Sequence, residues 1–80
     1  MTRDVAATIA DCLLEIAPEA DLASLRRDRP LRDQLDIDSF DFLNLLVAVN
    51  EATGVSIPES DYAKVATLDA LVAYVTARAA

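Results

Sequence analysis

The stretch Leu35-Asp36-Ile37-Asp38-Ser39-Phe40-Asp41 holds the residues whose types and spacing point to chemistry. Asp38 is a favourable helix N-cap, which makes Ser39 the first helical residue, and Asp41, three positions after the cap, completes a capping-box pattern. A serine in the first turn of a helix projects its hydroxyl into solvent beside backbone N–H groups that lack an intrahelical partner. A phosphate esterified there meets the positive end of the helix dipole, so a phosphodiester is carried at little electrostatic cost despite the acidic neighbours. A loop-to-helix junction also leaves the attached group within reach of other enzymes. The same residues make an ordinary helix cap without any chemistry, and their spacing alone does not separate the two readings.

The rest of the composition removes most other chemistries. The chain has no histidine and a single cysteine, Cys12. A His-based dyad, a Cys/His zinc site and an intramolecular disulfide are therefore excluded. Cys12 is expected in the core. No nucleophile–base pair or metal-ligand cluster is present, so an enzyme is not expected and no metal is assigned. An EF-hand counted from Asp36 fails, because its sixth position is Asp41 in place of glycine and its twelfth is Val47 in place of glutamate. Acids outnumber bases fourteen to seven, for a net charge of −7. That balance argues against nucleic acid and anionic membranes and towards basic protein partners. Seven of the acids fall between Asp33 and Asp61 with no base among them, a run suited to basic partner enzymes. Arg26, Arg27, Arg29 and Arg32 form a basic segment, expected to pair with nearby acids such as Asp28 and Asp33 or to offer a second contact surface. Asp4 and Asp11 interrupt the N-terminal apolar run, so no signal peptide is expected, and nothing approaches a membrane span. A soluble, cytoplasmic, monomeric protein is the expectation.

Eighty residues suit one domain, spanning 1–80. One glycine and three prolines among many alanines and leucines favour helix, and an all-α fold without strands is expected. The first helix should run from Arg3 to Ile16 with Thr2 as its cap, burying Val5, Ile9, Cys12, Leu13 and Ile16, and Pro18 forbids its continuation. A long connection from Ala17 to Asp38 follows. Leu22, Leu25, Leu31 and Leu35 can dock it on the bundle, and Asp21 to Leu25 can form one helical turn. The second helix should run from Ser39 to Thr53, stopped by Gly54. A short helix is expected near Glu59 to Val65. The last helix should begin after Thr67, with Leu68, Leu71, Val72, Val75 and Ala79 inside. Tyr62 and Tyr74 are expected to pack with their polar tips at the surface.

The second helix carries two apolar stripes. At a helical step of about 100° per residue, Phe42, Leu45, Leu46, Val49 and Thr53 cluster on one side, with Phe40, Leu43 and Val47 nearly opposite. A bundle of this size does not easily bury both sides of one helix. The first stripe is assigned to the core. The second, with Asn44, Asn50 and Glu51 around it, is assigned to partners, unless the long connection folds over Phe40 and Leu43.

These landmarks together resemble the acyl carrier protein family. Asp38-Ser39-Phe40 is similar to its Asp-Ser-Leu attachment motif, and Leu35, Ile57-Pro58 and Thr67-Leu68 fall at similar positions. The resemblance covers nearly the whole chain, most strongly from Leu31 to Val75. It implies a four-helix acyl-carrier-type bundle with a short third helix and a long loop between helices one and two. It also implies that Ser39 carries 4′-phosphopantetheine, transferred from coenzyme A by a phosphopantetheinyl transferase. The thiol of that arm would hold acyl groups as thioesters for acyl-transferring or acyl-modifying enzymes of lipid or related biosynthesis, fatty acid biosynthesis included. Asp38 matches the motif acid, which in the family helps to hold magnesium in the synthase complex. The partner face would comprise Phe40, Asp41, Leu43, Asn44, Val47 and Glu51. Asp36 stands where the family usually has glycine, and Phe40, Asn44, Asn50 and Thr53 also depart from its common pattern; they point to a specialised free-standing member. A peptidyl or aminoacyl carrier, and a non-carrier acidic helical adaptor for a basic partner, are the alternatives.

Overall fold

Helix formation begins where a carboxylate takes an orphan amide. In the computed structural model, which describes residues 4–79, Asp4 is extended and its side chain accepts from the Ala6 N–H at 3.1 Å, so helix α1 spans Val5–Ile16. The cap is therefore Asp4, because aspartate caps at least as well as threonine and stands directly before the apolar period. The expected cap Thr2 and first residue Arg3 lie outside the described residues. Ile9, Cys12 and Leu13 are buried, while Val5 and Ile16 are packed at the edge of the core.

The connection after Ala17 is more ordered than its composition suggests. Asp21 to Leu25 forms a turn and not a helix. The Asp21 carboxylate accepts from the Ala23 N–H at 3.2 Å and from the Ser24 hydroxyl at 2.8 Å. These local side-chain bonds compete with helix propagation. A one-turn helix that periodicity did not reveal, α2, occupies Leu31–Gln34. The Gln34 amide staples it to the preceding loop: Oε1 accepts from the Arg26 N–H at 2.6 Å, and Nε2 donates to the carbonyls of Arg26 at 2.7 Å and Arg29 at 3.1 Å. The loop is then tied to the start of the last helix. Leu31 N–H donates to the Ala66 carbonyl at 2.8 Å and Asp69 N–H to the Arg27 carbonyl at 3.0 Å. Pro30 and Thr67 form an isolated antiparallel bridge, and no strand is present among the described residues. Leu31 is fully buried, and Leu22, Leu25 and Leu35 pack against the same core.

Helix α3 spans Ser39–Thr53 and ends at Gly54. Gly54 adopts φ 77°, a left-handed conformation that only glycine enters without a Cβ penalty. The Thr53 hydroxyl finishes the same turn, donating to the Val49 carbonyl at 2.7 Å and accepting from the Val55 N–H at 3.2 Å. A 3-10 helix, η1, follows over Glu59–Val65, and α4 spans Leu68–Arg78, capped by the Thr67 hydroxyl, which accepts from the Ala70 N–H at 3.0 Å. Leu71 and Val75 are buried and Leu68 and Val72 flank them. Ala79, expected on the inner face, is exposed at the helix end because α4 stops at Arg78. Helix α1 packs on α3 and on α4, whereas η1 packs chiefly on α4.

Tyr74 does more than present a polar tip. Its hydroxyl donates to Asp61 Oδ2 at 2.6 Å, Lys64 Nζ lies 3.3 Å from Asp61 Oδ1, and the Arg78 guanidinium sits 3.6 Å over the Tyr74 ring. The Tyr74 bond, assisted by Lys64, holds the Asp61 carboxyl below its ordinary range. The same bond, with burial, pushes the Tyr74 phenol up. A lowered carboxylate stabilises the fold fully above its unfolded value, about pH 4, and loses that contribution as pH falls through the folded value. A raised phenol contributes fully below about pH 10 and loses it as pH rises through the folded value. Tyr74→Phe should therefore lower the melting temperature most between these limits, and the gap to wild type should narrow at both ends. A gap independent of pH would show that this bond does not link η1 stability to protons.

Candidate functional site

The N-terminus of α3 is built by reciprocal capping. The Asp38 carboxylate accepts from the Asp41 N–H at 2.9 Å, and the Asp41 carboxylate accepts from the Asp38 N–H at 3.3 Å. Phe42 N–H donates to the Asp38 carbonyl at 3.0 Å. Ser39 is thereby fixed as the first residue of the helix, with its side chain exposed. Asp36, where the resemblance leads one to expect glycine, needs no special conformation: no described residue other than Gly54 has positive φ.

Ser39 opens into a cleft of about 470 Å³ between α3 and η1. Phe40, Phe42 and Leu43 form one wall, Tyr62, Ala63 and Ala66 the other, and Pro30, Arg32 and Glu59 complete the rim. Phe42 and Tyr62, both in the lining, meet edge to face with ring centroids 6.3 Å apart. The far wall and the rim were not legible as site residues. They come from two other segments of the chain, and the only sequence signal was that Arg32 belonged to a basic run and Tyr62 was a lone aromatic.

The two stripes of α3 differ sharply in exposure. Phe42, Leu45, Leu46 and Val49 are buried, whereas Phe40 is 69% exposed, Val47 48% and Leu43 37%. The long connection reaches the cleft rim through Pro30 and Arg32 but does not cover Phe40. Leu43 and Val47 also border a smaller hollow with Leu46, Asn50, Ser56, Ile57 and Tyr62. Asn44 is exposed and Asp41 half-buried. Glu51 is not beside Ser39: it lies about 18 Å along the helix and borders a separate groove against α1 with Asp11, Cys12 and Glu15.

The acids from Asp33 to Asp61 are distributed around this region without a matching set of bases. Asp33, Asp36, Asp38, Glu51 and Glu59 are exposed, and only Asp61 of the seven acids has an ion-pair partner among the described residues. The basic segment turns elsewhere: Arg27 pairs with Asp69 of α4 at 2.7 Å and Arg26 approaches Asp28 at 3.7 Å, while Asp33 joins no ion pair among the described residues. Those acids form no group compact enough to hold a metal ion among the described residues. Cation effects should therefore be diffuse screening. Moderate salt or magnesium should raise the melting temperature of the unmodified chain, and a flat or falling melting temperature across a salt series would count against self-repulsion.

A family model described as a phosphopantetheine attachment site matches residues 5–75. The chain belongs to this phosphopantetheine-attachment family. Members of the family carry covalently attached 4′-phosphopantetheine. No solved structure gave a significant match to the chain. The matched region runs from the start of α1 into α4 and includes the whole cleft. The local chemistry fits the arm of such a carrier domain. Ser39 offers an exposed hydroxyl, and among the described residues the first-turn N–H groups of Ser39 and Phe40 donate to no protein acceptor. Carrier domains of this family work with transferases and acyl-processing enzymes. No described helix is long and apolar enough to cross a membrane.

Proposed function

We propose that this chain is an acyl carrier protein whose Ser39 bears the phosphopantetheine arm. The observation that carries the reading is an exposed serine hydroxyl at the first position of a fifteen-residue helix, in a chain that matches the attachment family over residues 5–75. The arm supplies a terminal thiol that holds acyl groups as thioesters. The chain's own residues do the rest. The Asp38–Asp41 capping box holds Ser39 at the helix start, and the helix N-terminus favours the phosphate charge. Asp38 is the motif acid that supports the transfer reaction. α1, α3, η1 and α4 form the four-helix carrier bundle, with η1 as its short third helix and α2 inside the long connection.

The apolar cleft beside Ser39 favours acyl cargo over aminoacyl cargo, since its walls are mostly hydrocarbon and aromatic. Phe40, Asp41, Leu43, Asn44 and Val47 form the surface that meets the transferase and the acyl-handling enzymes of lipid or related biosynthesis, and Glu51, on the separate groove against α1, is left out of it. The carrier works as a cytoplasmic monomer and catalyses no step itself. Incubation of the chain with coenzyme A and a phosphopantetheinyl transferase, followed by intact-mass measurement, should show the gain of one arm. A chain that gains no mass with an active transferase is instead a helical adaptor with Ser39 as a plain cap.

A further inference from the structure

Arg32 stands apart from the other basic residues of the long connection. Arg26 and Arg27 have acidic partners, whereas Arg29 and Arg32 enter no ion pair among the described residues. Of these two, only Arg32 lines the cleft into which Ser39 opens, and it is the one cation in that lining. Glu59, the other charged residue of the lining, is not within ion-pair distance of it. Arg32 also sits on a braced platform. α2 is stapled by Gln34 to the Arg26 and Arg29 carbonyls, bonded through Leu31 to Ala66, and anchored by the buried Leu31 side chain.

A phosphodiester on Ser39 adds a negative charge to a neighbourhood that already holds Asp36, Asp38, Asp41 and Glu59. The groups that can offset it are few. They are the Ser39 and Phe40 amides of the α3 first turn and Arg32 in the lining of the same cleft. A guanidinium presents a planar fork of donors that matches two phosphate oxygens, and a charge-assisted pair of this kind is stronger than a neutral hydrogen bond.

We propose that Arg32 is a positioning residue for the prosthetic arm, pairing with its phosphodiester and holding the root of the arm along the α3–η1 cleft. This rests on Ser39 being the attachment residue. The consequence is directional. An arm held at its root by Arg32 leads into the apolar cleft, and an arm without that contact leaves α3 freely into solvent.

The test uses the loaded chain and reads the phosphate directly. Wild type, Arg32→Gln, Arg32→Lys and Arg29→Gln are loaded with coenzyme A and transferase, and the mass gain of each is confirmed first. Phosphorus NMR then compares each folded protein with the same protein unfolded in urea. The wild-type signal should be shifted and relax faster than in urea. Arg32→Gln should lose most of that difference, Arg32→Lys should keep part of it, and Arg29→Gln should match wild type. Loading should also move the Arg32 side-chain Nε–H resonance of the wild-type chain more than that of Arg29, a readout independent of any variant's folding. An Arg32→Gln spectrum identical to wild type overturns the proposal, as does an equal effect of Arg29→Gln, which would mark a diffuse loop charge. Absence of any mass gain in wild type would instead remove the Ser39 assignment, and this inference with it.

Discussion

Ser39→Ala is expected to abolish loading by a phosphopantetheinyl transferase while leaving the fold in place. The hydroxyl is the only atom of Ser39 that the proposed ester requires, and alanine removes it without changing the helix. The cap itself resides in Asp38 and Asp41, whose reciprocal bonds use no atom of the Ser39 side chain. Alanine is the best helix former, and any stability change should stay within about 1 kcal/mol. Intact mass after incubation with coenzyme A reads the first part and a denaturant melt reads the second. If the alanine variant still gained the mass of an arm, another residue would be the acceptor. Ser56 and Ser60 are the nearest serines in sequence beyond α3, and Ser24 lies in the connection. None of the three begins a long helix, so none shares the feature that singles out Ser39.

The second large effect separates the two faces of α3. Leu46→Ala should cost about 2–5 kcal/mol, the range for truncating a buried leucine, because it removes core contacts and leaves a cavity among packed neighbours. Leu46 is 3% exposed and belongs to the same cluster as Leu45, Val49, Leu71 and Val75. Val47, the next residue, is 48% exposed. Its truncation removes little buried area and should cost less than about 1 kcal/mol. Alanine also raises helix propensity there. Val47→Ala should instead slow transfer to or from partner enzymes, since an exposed apolar side chain near the carrier site gains its contacts only in a complex. Denaturant melts and acyl-loading rates of both variants read the contrast. A Val47→Ala protein as destabilised as Leu46→Ala and loaded at the wild-type rate would remove Val47 from the partner surface.

Several features were legible in the sequence because their causes are local. The Asp38–Ser39–Asp41 cap, the stop at Gly54, the Thr67 cap and the burial of one stripe of α3 each depend on residues within a few positions of one another. Helical period and side-chain donors are enough to read them. The short helix expected near Glu59 to Val65 is also present, as η1. Errors arose where two local signals competed. Asp4 suits the outer face of a helix as well as a cap, and its carboxylate caps α1. Asp21 favours both a helix start and a closed turn, and its carboxylate closes the turn.

The long connection was the opaque part, and the reason is physical. Its order comes from partners far away in the chain: Arg27 meets Asp69, Leu31 meets Ala66, and Pro30 lies across from Thr67. Nothing in the local pattern of charges and leucines names those partners. The same holds for the cleft. The sequence by itself determined an acidic helical chain with a capped serine at a helix start, because composition and spacing decide those properties. Only the tertiary structure decided that residues of η1 and α2 line the cleft beside that serine, that Tyr74 bonds to Asp61, and that Arg32 lines the cleft while Arg27 pairs with α4. Those choices depend on which surfaces meet when the core is buried, and a linear pattern does not encode which of four similar arginines will lie where.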